Sequence, residues 1–525
     1  MASSSSTTAG ADDRMFSEEE PVLYPWITRV FFLAVHMFYS TISPVNVQNC
    51  PKNGTPTLLA FNHGNGLVDA ALLMVNTPRQ LRFCAKDTLW AMPFWGWWVK
   101  RSGAVPVFRP RDHGAEKAGE YNEKMYRAAF SALHKGQCLA IAPEGVSRFA
   151  PNMAQPLKTG PARIALRAVE LATDPDFKVH VAPVGITYTH REKFRSSVLL
   201  DYCVPIVVDK SWLPDSSVTD PEAREKHFRE RAYKLTELIN DALKNSTVHS
   251  PDFETSRLAM AATRVLLPLG TTMTLQEYFT LIRAWVNVFQ QTEDAKVAEV
   301  KQNLHDYQAL LDEKRVKDER VRRYAFDEGG RPSRVPRAFL ILFRAVIFLL
   351  LCAIVLPGLA VWSPVWWLIK RRERQLLAKG PGWNDSVAEM KMQVAFLTAV
   401  AVPVIFNKYF WVAYLWAFVT LRLYEELVAA GRSLYTHFKF YYLYESTLAE
   451  MLRRRRIAVQ GLHEIAQAKL DPKSVPASFF QSPLSLGKET VIRTWPWENW
   501  SLKRRNKKDW NETLRLHDHN TMDYF

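Results

Sequence analysis

A run of 25 consecutive residues without a charge, from Ala345 to Ile369, constrains this chain more than any other feature. About 20 apolar residues suffice for a helix to cross the hydrocarbon core of a bilayer. Arg344 precedes the run, Lys370 follows it, and three tryptophans lie near its end, as is typical of helix ends at a membrane interface. The run therefore predicts a transmembrane helix.

A second apolar block covers residues 394–421 and is broken by Asn407 and Lys408. It fits either one span with a buried lysine or a re-entrant hairpin. Basic residues flank both sides of the first span, so the charge bias does not settle its orientation. We expect a helical membrane region over residues 333–425, with about two spans at 345–369 and at 394–421.

The two ends of the chain have their own character. Residues 1–20 are polar and acidic and match neither a secretory signal nor a mitochondrial presequence, so we expect a disordered tail. Residues 21–47 are apolar and aromatic but carry Arg29 and His36, which predicts a membrane-associated amphipathic helix, with an ordinary buried helix as the alternative. Residues 426–525 form a basic tail whose arginine and lysine runs suit either an anionic lipid surface or a solvated helix face.

Residues 48–250 alternate short apolar runs with helical stretches, which predicts an α/β domain with a mixed sheet flanked by helices. Six runs predict strands: Thr57–Phe61, Leu81–Ala85, Ala104–Phe108, Cys138–Ala142, His180–Thr187 and Val198–Val208. Residues 251–332 predict a charged helical region with one apolar stripe at helical spacing: Val297, Val300, Leu304, Tyr307 and Leu311.

The charge balance narrows the class of partner. The 525 residues include 68 Lys and Arg against 53 Asp and Glu, and 17 Trp, which favours a membrane surface, a phosphorylated small molecule or nucleic acid. The basic runs lack interleaved aromatics, so we expect no nucleic-acid partner. The five cysteines form no CxxC pair, which argues against a disulfide scaffold or a cysteine zinc site and favours a reducing compartment.

His63 is the first candidate for chemistry. It follows a predicted strand on a Gly-rich loop and precedes a helix that carries Asp69. On an ideal helix, six positions would place the two side chains about 240° apart, so they can meet only if the loop folds back, which Gly64 and Gly66 permit. A carboxylate bonded to one imidazole nitrogen fixes the tautomer and leaves the other nitrogen as a general base.

Three further loops carry candidate substrate-binding residues. A predicted strand ends at Arg109, whose guanidinium can hold a phosphate. The loop after the next strand supplies a carboxylate, a flexible glycine, a hydroxyl and a cation: Glu144, Gly145, Ser147 and Arg148. Lys158 adds a cation at a helix start, and each of these cations could instead be a surface salt-bridge partner. A buried strand containing Val181, Pro183 and Val184 precedes a basic loop.

The order of these four motifs beside membrane spans resembles the glycerolipid acyltransferases of the PlsC-like superfamily. The five residues between His63 and Asp69, the sequence GAVPVFRPRD and the segment THREKFRS are similar to fungal-type glycerol-3-phosphate/dihydroxyacetone-phosphate acyltransferases. The resemblance covers residues 55–210, and the C-terminal region is similar in layout only. The superfamily commonly places the aspartate one position earlier, where this chain has Val68.

The resemblance implies acyl transfer from acyl-CoA to the sn-1 hydroxyl of glycerol 3-phosphate, which gives lysophosphatidic acid and begins glycerolipid synthesis. His63 would take the hydroxyl proton, and Asp69 would orient His63. Residues matching the family's acceptor-binding motifs are Arg109, Glu144, Gly145 and Ser147, with Arg148 and Lys158 as helpers. Val181, Pro183 and Val184 would line the acyl side. Neither a metal nor a bound cofactor is expected, since acyl-CoA is a substrate.

Three alternatives stay open at this point. The acceptor could be dihydroxyacetone phosphate or lysophosphatidic acid, or the chain could be a non-catalytic membrane scaffold. We expect an intracellular integral membrane protein in contact with membrane lipids. The endoplasmic reticulum is the default location for glycerolipid synthesis, and the mitochondrial outer membrane is the alternative. Acyl-chain preference and oligomeric state do not follow from the sequence.

Overall fold

The computed structural model describes residues 22–108, 114–214, 220–267, 272–291, 293–326, 334–378, 380, 386–394, 410–443, 445–470 and 508–509. The chain divides into two compact units, Met1–Thr247 and Val248–Phe525. The predicted N-terminal tail, residues 1–20, and Arg109 both lie outside the described residues.

An eight-stranded sheet forms the centre of the first unit. Its strands are β1 Thr41–Val45, β2 Thr57–Phe61, β3 Leu81–Lys86, β4 Val105–Val107, β5 Cys138–Ile141, β6 Val179–Tyr188, β7 Ser197–Tyr202 and β8 Ile206–Val208. They lie in the order β1-β7-β6-β2-β5-β3-β4, with β8 beside β6. The pairings from β6 through β2, β5 and β3 to β4 are parallel, whereas β6 pairs antiparallel with β7 and β8. The predicted mixed sheet is therefore confirmed.

Helices precede, connect and follow these strands: α1 Tyr24–Phe38, α2 Gly66–Asn76, α3 Pro93–Arg101, α4 Ala115–His134, α5 Gly160–Glu170 and α6 Pro221–Ser246. Short 3-10 turns occur at Val47–Asn49, Asp87–Ala91 and Lys210–Trp212. A buried core joins apolar side chains of β2 and β6 to those of α4, α5 and α6, as in Leu58, Val181, Ala129, Ala165 and Leu235. Burial of this face fixes the sheet and hence the loops at the strand ends.

The strands differ from the prediction in two places. The run Val198–Val208 divides into β7 and β8, since Pro205 lies between them and cannot donate a hydrogen bond to a ladder. β1 was missed because its five residues, Thr41–Val45, include Pro44 and follow a helical run directly. It pairs in parallel with β7.

Helix α1 presents apolar side chains on both faces. Ile27 and Val35 are buried in the unit, whereas Trp26, Phe32 and Leu33 are exposed. The helix predicted for residues 21–47 is present but shorter, because the chain turns into β1 after α1 ends. Its exposed aromatic face is compatible with a membrane interface, and the membrane association itself stays a prediction.

The second unit is mainly helical. Its helices are α7 Phe253–Leu266, α8 Leu275–Phe289, α9 Ala295–Glu313, α10 Asp318–Phe326, α11 Arg334–Leu377, α12 Phe410–Tyr442 and α13 Glu445–Lys469, and β9 Thr272–Met273 pairs with β10 Lys508–Asp509. All five residues of the predicted apolar stripe lie on α9 and are buried.

Helix α11 contains the predicted first span. The helical stretch Ala338–Leu377 is long and apolar enough to cross a membrane, with a mean hydropathy of 3.0 over an 18-residue window, and it is the one such helix within the described part of the chain. Most of the predicted second span, at residues 395–409, lies outside the described residues, and two spans are not confirmed. Helix α12 begins at Phe410 and continues well beyond residue 421.

Helices α11 and α12 pack closely against each other. A Cβ atom at Gly358 would overlap the side chain of Thr420, and one at Gly431 would lie 3.0 Å from the ring of Phe348. Arg344 Nη1 donates to Ser433 Oγ at 2.7 Å. The partners run in opposite directions along the two helices, so the pair is antiparallel, with small residues at the points of close approach.

The arginine run of the predicted basic tail has partners within the chain. Arg453 and Arg454 each lie 2.7 Å from the carboxylate of Glu450, and Arg455 Nε lies 2.9 Å from Asp318 Oδ1. These three arginines therefore form intramolecular ion pairs, and binding of this run to an anionic lipid surface stays a prediction.

Candidate active site

The loop that carries His63 is held at the carboxyl end of β2. The carboxamide of Asn62 bridges to β6, accepting from Ile186 N at 2.6 Å and donating to Ile186 O at 2.9 Å. Because β2 and β5 are parallel neighbours, the loop after β5 emerges at the same edge of the sheet. The structure thus brings the His63 loop and the Glu144–Arg148 loop together.

His63 and Asp69 meet as the loop folds back. His63 Nδ1 lies 3.0 Å from Asp69 Oδ2, and the imidazole is 23% exposed while the carboxylate is fully buried. Asp69 lies in the first turn of α2, where its Oδ2 also accepts from Asn65 N at 2.8 Å. Val68, at the position where the superfamily commonly has aspartate, is buried instead. Position 69 is therefore the one that faces the histidine in this chain.

The pairing determines what the imidazole can do. When Asp69 accepts from Nδ1–H, the neutral ring carries its lone pair on Nε2. A buried carboxylate also stabilises the imidazolium that forms when Nε2 takes a proton. The pair can therefore act as an oriented general base.

Glu144 holds the histidine loop through the backbone. Its Oε1 accepts from His63 N at 2.6 Å, and its Oε2 accepts from Ala154 N at 2.7 Å. Burial raises the pKa of this carboxyl, against the lowering effect of both backbone hydrogen bonds. The geometry gives Glu144 a positioning role, and contact with an acceptor stays a prediction.

Gly145 and Lys158 lie against each other in the same loop system. Gly145 has φ +68°, which favours glycine, and a Cβ there would lie 2.5 Å from Lys158 Nζ, so the lysine side chain would have to move. Lys158 N donates to Pro143 O at 2.8 Å, which holds the start of α5 close to the loop. The ammonium group is thereby placed beside the Glu144–Gly145 turn.

The other predicted acceptor-binding residues differ in how the structure places them. Arg148 is exposed, its backbone N donates to His63 O at 3.3 Å, and its guanidinium donates to Asn152 Oδ1 at 3.3 Å. Ser147 lies in the same loop and is partly buried. Arg109 lies just beyond the described Phe108, so its phosphate role stays a prediction.

The predicted acyl-side residues are on β6, beside β2. Val181 pairs in register with Leu58 and Val184 with Phe61, and Val181, Pro183 and Val184 are all buried. Their side chains contribute to the interior that supports the site. Contact with an acyl chain stays a prediction.

Two site residues were missed in the sequence. Arg191 lies against Gly64 and donates to Ala150 O at 2.8 Å, which ties the basic segment to both site loops. Tyr188 OH donates to Asp69 Oδ1. Tyr188 lies just before the basic segment THREKFRS and Arg191 lies within it, but neither contact has a signal in sequence spacing.

Comparisons with known proteins match two parts of the chain. The family model "Acyltransferase" matches residues 42–187, and "Glycerol-3-phosphate acyltransferase 2 C-terminal domain" matches residues 258–448. Glycerol-3-phosphate O-acyltransferase 2 of Saccharomyces cerevisiae is 30% identical over 298 residues, which are 55% of this chain and 38% of that protein. Glycerol-3-phosphate O-acyltransferase 1 of the same yeast is 27% identical over 279 residues, or 51% of this chain and 35% of that protein. The chain thus matches little more than a third of the length of these relatives.

One solved structure is also similar. The crystal structure of the 1-acyl-sn-glycerophosphate (LPA) acyltransferase PlsC from Thermotoga maritima matches 42% of this chain and 80% of its own, with 18% identity and a TM-score of 0.28. A TM-score this low supports no conclusion about function.

Proposed function

We propose that this chain transfers a fatty acyl group from acyl-CoA to the sn-1 hydroxyl of glycerol 3-phosphate, because residues 42–187 and 258–448 match two acyltransferase family models. The products are lysophosphatidic acid and CoA. The observation that carries the proposal is the His63 Nδ1–Asp69 Oδ2 contact of 3.0 Å in the domain that matches the acyltransferase model.

The chemistry follows from the orientation of the imidazole. His63 Nε2 takes the proton of the acceptor hydroxyl as its oxygen attacks the thioester carbonyl carbon. Collapse of the tetrahedral intermediate breaks the C–S bond, and the imidazolium returns the proton to the departing CoA sulfur. Asp69 stabilises the imidazolium between these steps. The transfer is direct from thioester to hydroxyl and requires neither a covalent acyl-enzyme nor a cofactor.

We assign the acceptor phosphate to the cations around these loops. Lys158 lies beside the Glu144–Gly145 turn, and Arg148 is joined through its backbone to His63. Arg109 follows β4 in the motif that matches the family's acceptor-binding sequence. A guanidinium binds a phosphate dianion with paired hydrogen bonds. The neutral parts of the substrate cannot form the same interaction.

Arg109→Ala tests the phosphate assignment. We expect the KM for glycerol 3-phosphate to rise by about tenfold or more, because a charged hydrogen-bonding partner is lost, while the KM for acyl-CoA changes by less than about twofold. Steady-state kinetics with each substrate varied in turn measures both values. Arg127→Ala, which removes an exposed arginine on α4, serves as the control. Equal changes in both KM values would remove the assignment.

The overall activity is tested by CoA release. Purified, detergent-solubilised protein is given palmitoyl-CoA with glycerol 3-phosphate, dihydroxyacetone phosphate or lysophosphatidic acid. Release that depends on glycerol 3-phosphate is the expected result. Release with lysophosphatidic acid alone would move the protein to the next acylation, and no release with any acceptor would favour the scaffold alternative.

We further propose that α11 spans a membrane and that α12 packs against it as the second helix of an intracellular membrane region. Between Ala345 and Ile369 the exposed surface of α11 is almost wholly apolar, as in Leu349 and Leu350. Lipid would cover this surface and also the exposed aromatic face of α1. The endoplasmic reticulum is the proposed location, with the mitochondrial outer membrane as the alternative.

Membrane integration predicts resistance to alkaline carbonate. We expect the wild-type chain to stay in the membrane pellet and the pair Leu349→Lys/Leu350→Lys to lower the retained fraction, because each central lysine costs about 3 kcal/mol in a bilayer. The pair Leu171→Lys/Val204→Lys places the same charges on exposed apolar positions of the first unit and is expected to leave retention unchanged. Release of the wild-type chain by carbonate would contradict the span, and fractionation against organelle markers identifies the membrane.

A further inference from the structure

A partly buried phenol lies behind the histidine–aspartate pair. Tyr188, the last residue of β6, donates its hydroxyl to Asp69 Oδ1. The other carboxylate oxygen, Oδ2, accepts from His63 Nδ1 and from Asn65 N. Both carboxylate oxygens therefore accept hydrogen bonds. Among the described residues, Tyr188 is the donor to Oδ1, the oxygen that does not face the histidine.

The direction of this hydrogen bond is fixed by the electrostatics of its surroundings. Burial, followed by the negative charge of Asp69, raises the pKa of Tyr188 well above its ordinary value. The phenol therefore remains protonated throughout the range in which an imidazole titrates, and it can only donate to the carboxylate.

A second phenol supports the first. Tyr39, which follows α1, accepts from Asn65 Nδ2 at 3.2 Å and donates to Arg191 O at 3.3 Å. Its ring lies 5.8 Å from that of Tyr188, and Tyr39 is buried while Tyr188 is partly buried. Tyr188 is thereby held by packing as well as by its bond to Asp69, which is what precise support of a neighbouring side chain requires.

We propose that Tyr188 is a positioning residue of the reaction, which fixes the rotation of Asp69 and moderates its charge toward His63. Without the phenol, Oδ1 loses its donor and more negative charge falls on Oδ2. The imidazolium is then held more strongly and gives up its proton less readily, while the carboxylate is free to rotate out of the plane of the imidazole.

The inference rests on the proposed function only for its kinetic part, and Tyr188→Phe tests it. General-base catalysis contributes roughly 10²–10⁴-fold, and we expect the variant to lose about tenfold of that in kcat, with both KM values within about twofold. The acid limb of the pH–rate profile is expected to move to higher pH. A purely structural role would lower stability without moving that limb.

Tyr202→Phe is the matched control. Tyr202 is a buried tyrosine on β7 whose hydroxyl lies 3.0 Å from Thr77 Oγ1, so the same atom is removed from the same sheet, away from Asp69. We expect wild-type kcat and an unchanged pH profile. Thermal unfolding of both variants separates loss of fold from loss of positioning.

A double-variant cycle asks whether Tyr188 acts through Asp69. If it does, adding Tyr188→Phe to Asp69→Asn changes kcat by less than about twofold, because the group through which it acts has already been altered. A further tenfold loss in the double variant would overturn the proposal.

A readout without turnover separates this inference from the proposed reaction. Diethyl pyrocarbonate modifies neutral imidazole, and His63 is partly exposed, so the rate of its labelling against pH can be followed by peptide mass spectrometry. We expect the midpoint at His63 to rise in Tyr188→Phe and to stay in Tyr202→Phe. That shift in a protein with no acyl transfer would leave the inference intact and reject the function, whereas coincident curves for the two variants would overturn the inference.

Discussion

Replacing His63 by alanine is expected to lower kcat by roughly 10³–10⁴-fold while the protein stays folded, which is the largest kinetic effect that we predict. The methyl group removes the one base that the structure places against the Asp69 carboxylate. The imidazole lies at the surface of the site rather than in the core, so its loss leaves the sheet packing intact. CoA release with glycerol 3-phosphate, measured beside the thermal unfolding midpoint, gives both quantities.

His134→Ala is the control for this variant. His134, at the end of α4, also hydrogen-bonds through a ring nitrogen, to Ala168 O at 2.9 Å, but lies on another part of the first unit. It is expected to keep wild-type turnover. Substantial residual activity in His63→Ala would remove the general-base role and with it the proposed mechanism.

Asp69→Asn is the second large effect, with an expected loss of about 10²–10⁴-fold in kcat. The amide is nearly the same size, but it has one acceptor oxygen where the carboxylate meets three donors: His63 Nδ1, Asn65 N and Tyr188 OH. At least one donor then faces the amide NH₂. The imidazolium also loses its stabilising charge, so the acid limb of the pH–rate profile moves to lower pH, opposite to the shift in Tyr188→Phe.

The control here is Asp201→Asn. Asp201 lies on β7 and accepts from Asn46 Nδ2 at 2.8 Å, so the same chemical change is made at a hydrogen-bonded aspartate outside the site. Wild-type kinetics are expected. Near wild-type kcat in Asp69→Asn, with correct folding, would show that the carboxylate does not orient the base.

The local pattern of apolar residues predicted much of the fold. Short apolar runs identified five of the eight strands closely, because burial of a central strand selects apolar residues over its whole length. A sixth run covered two further strands, β7 and β8, which Pro205 separates. β1 was not predicted, because its partner, β7, is about 155 residues away in the chain and the strand itself contains a proline. Pairing at that distance is set by the closing of the sheet, which no local pattern records.

In the site, too, contacts within one loop were predictable and contacts between strands were not. The meeting of His63 and Asp69 was predictable because two glycines between them allow the loop to fold back. The positioning role of Glu144 was not, because it depends on β5 lying beside β2 and bringing a carboxylate under the His63 amide. Tyr188 and Arg191 likewise reach the site across strands, and in sequence a tyrosine at a strand end is indistinguishable from a core aromatic.

The long apolar helix α11 was predicted from composition alone, from an uncharged run of 25 residues, and its passage through a membrane stays a prediction. Where charged and apolar residues mix, as in α12, composition does not say which face is covered. The close approach of Gly358 to Thr420 supplies that information, since it requires the two helices to touch.

The two phenols behind Asp69 limit how this protein can be cut for study. Tyr39 and Tyr188 lie three residues before and one residue after the segment 42–187 that matches the acyltransferase model. An expression fragment trimmed to that segment would keep His63, Asp69 and Glu144 yet discard both supporting hydroxyls, along with α1 and strand β7. A minimal fragment worth crystallising therefore has to begin before Tyr24 and extend through α6, and a shorter one that proved inactive would say nothing about the intact chain.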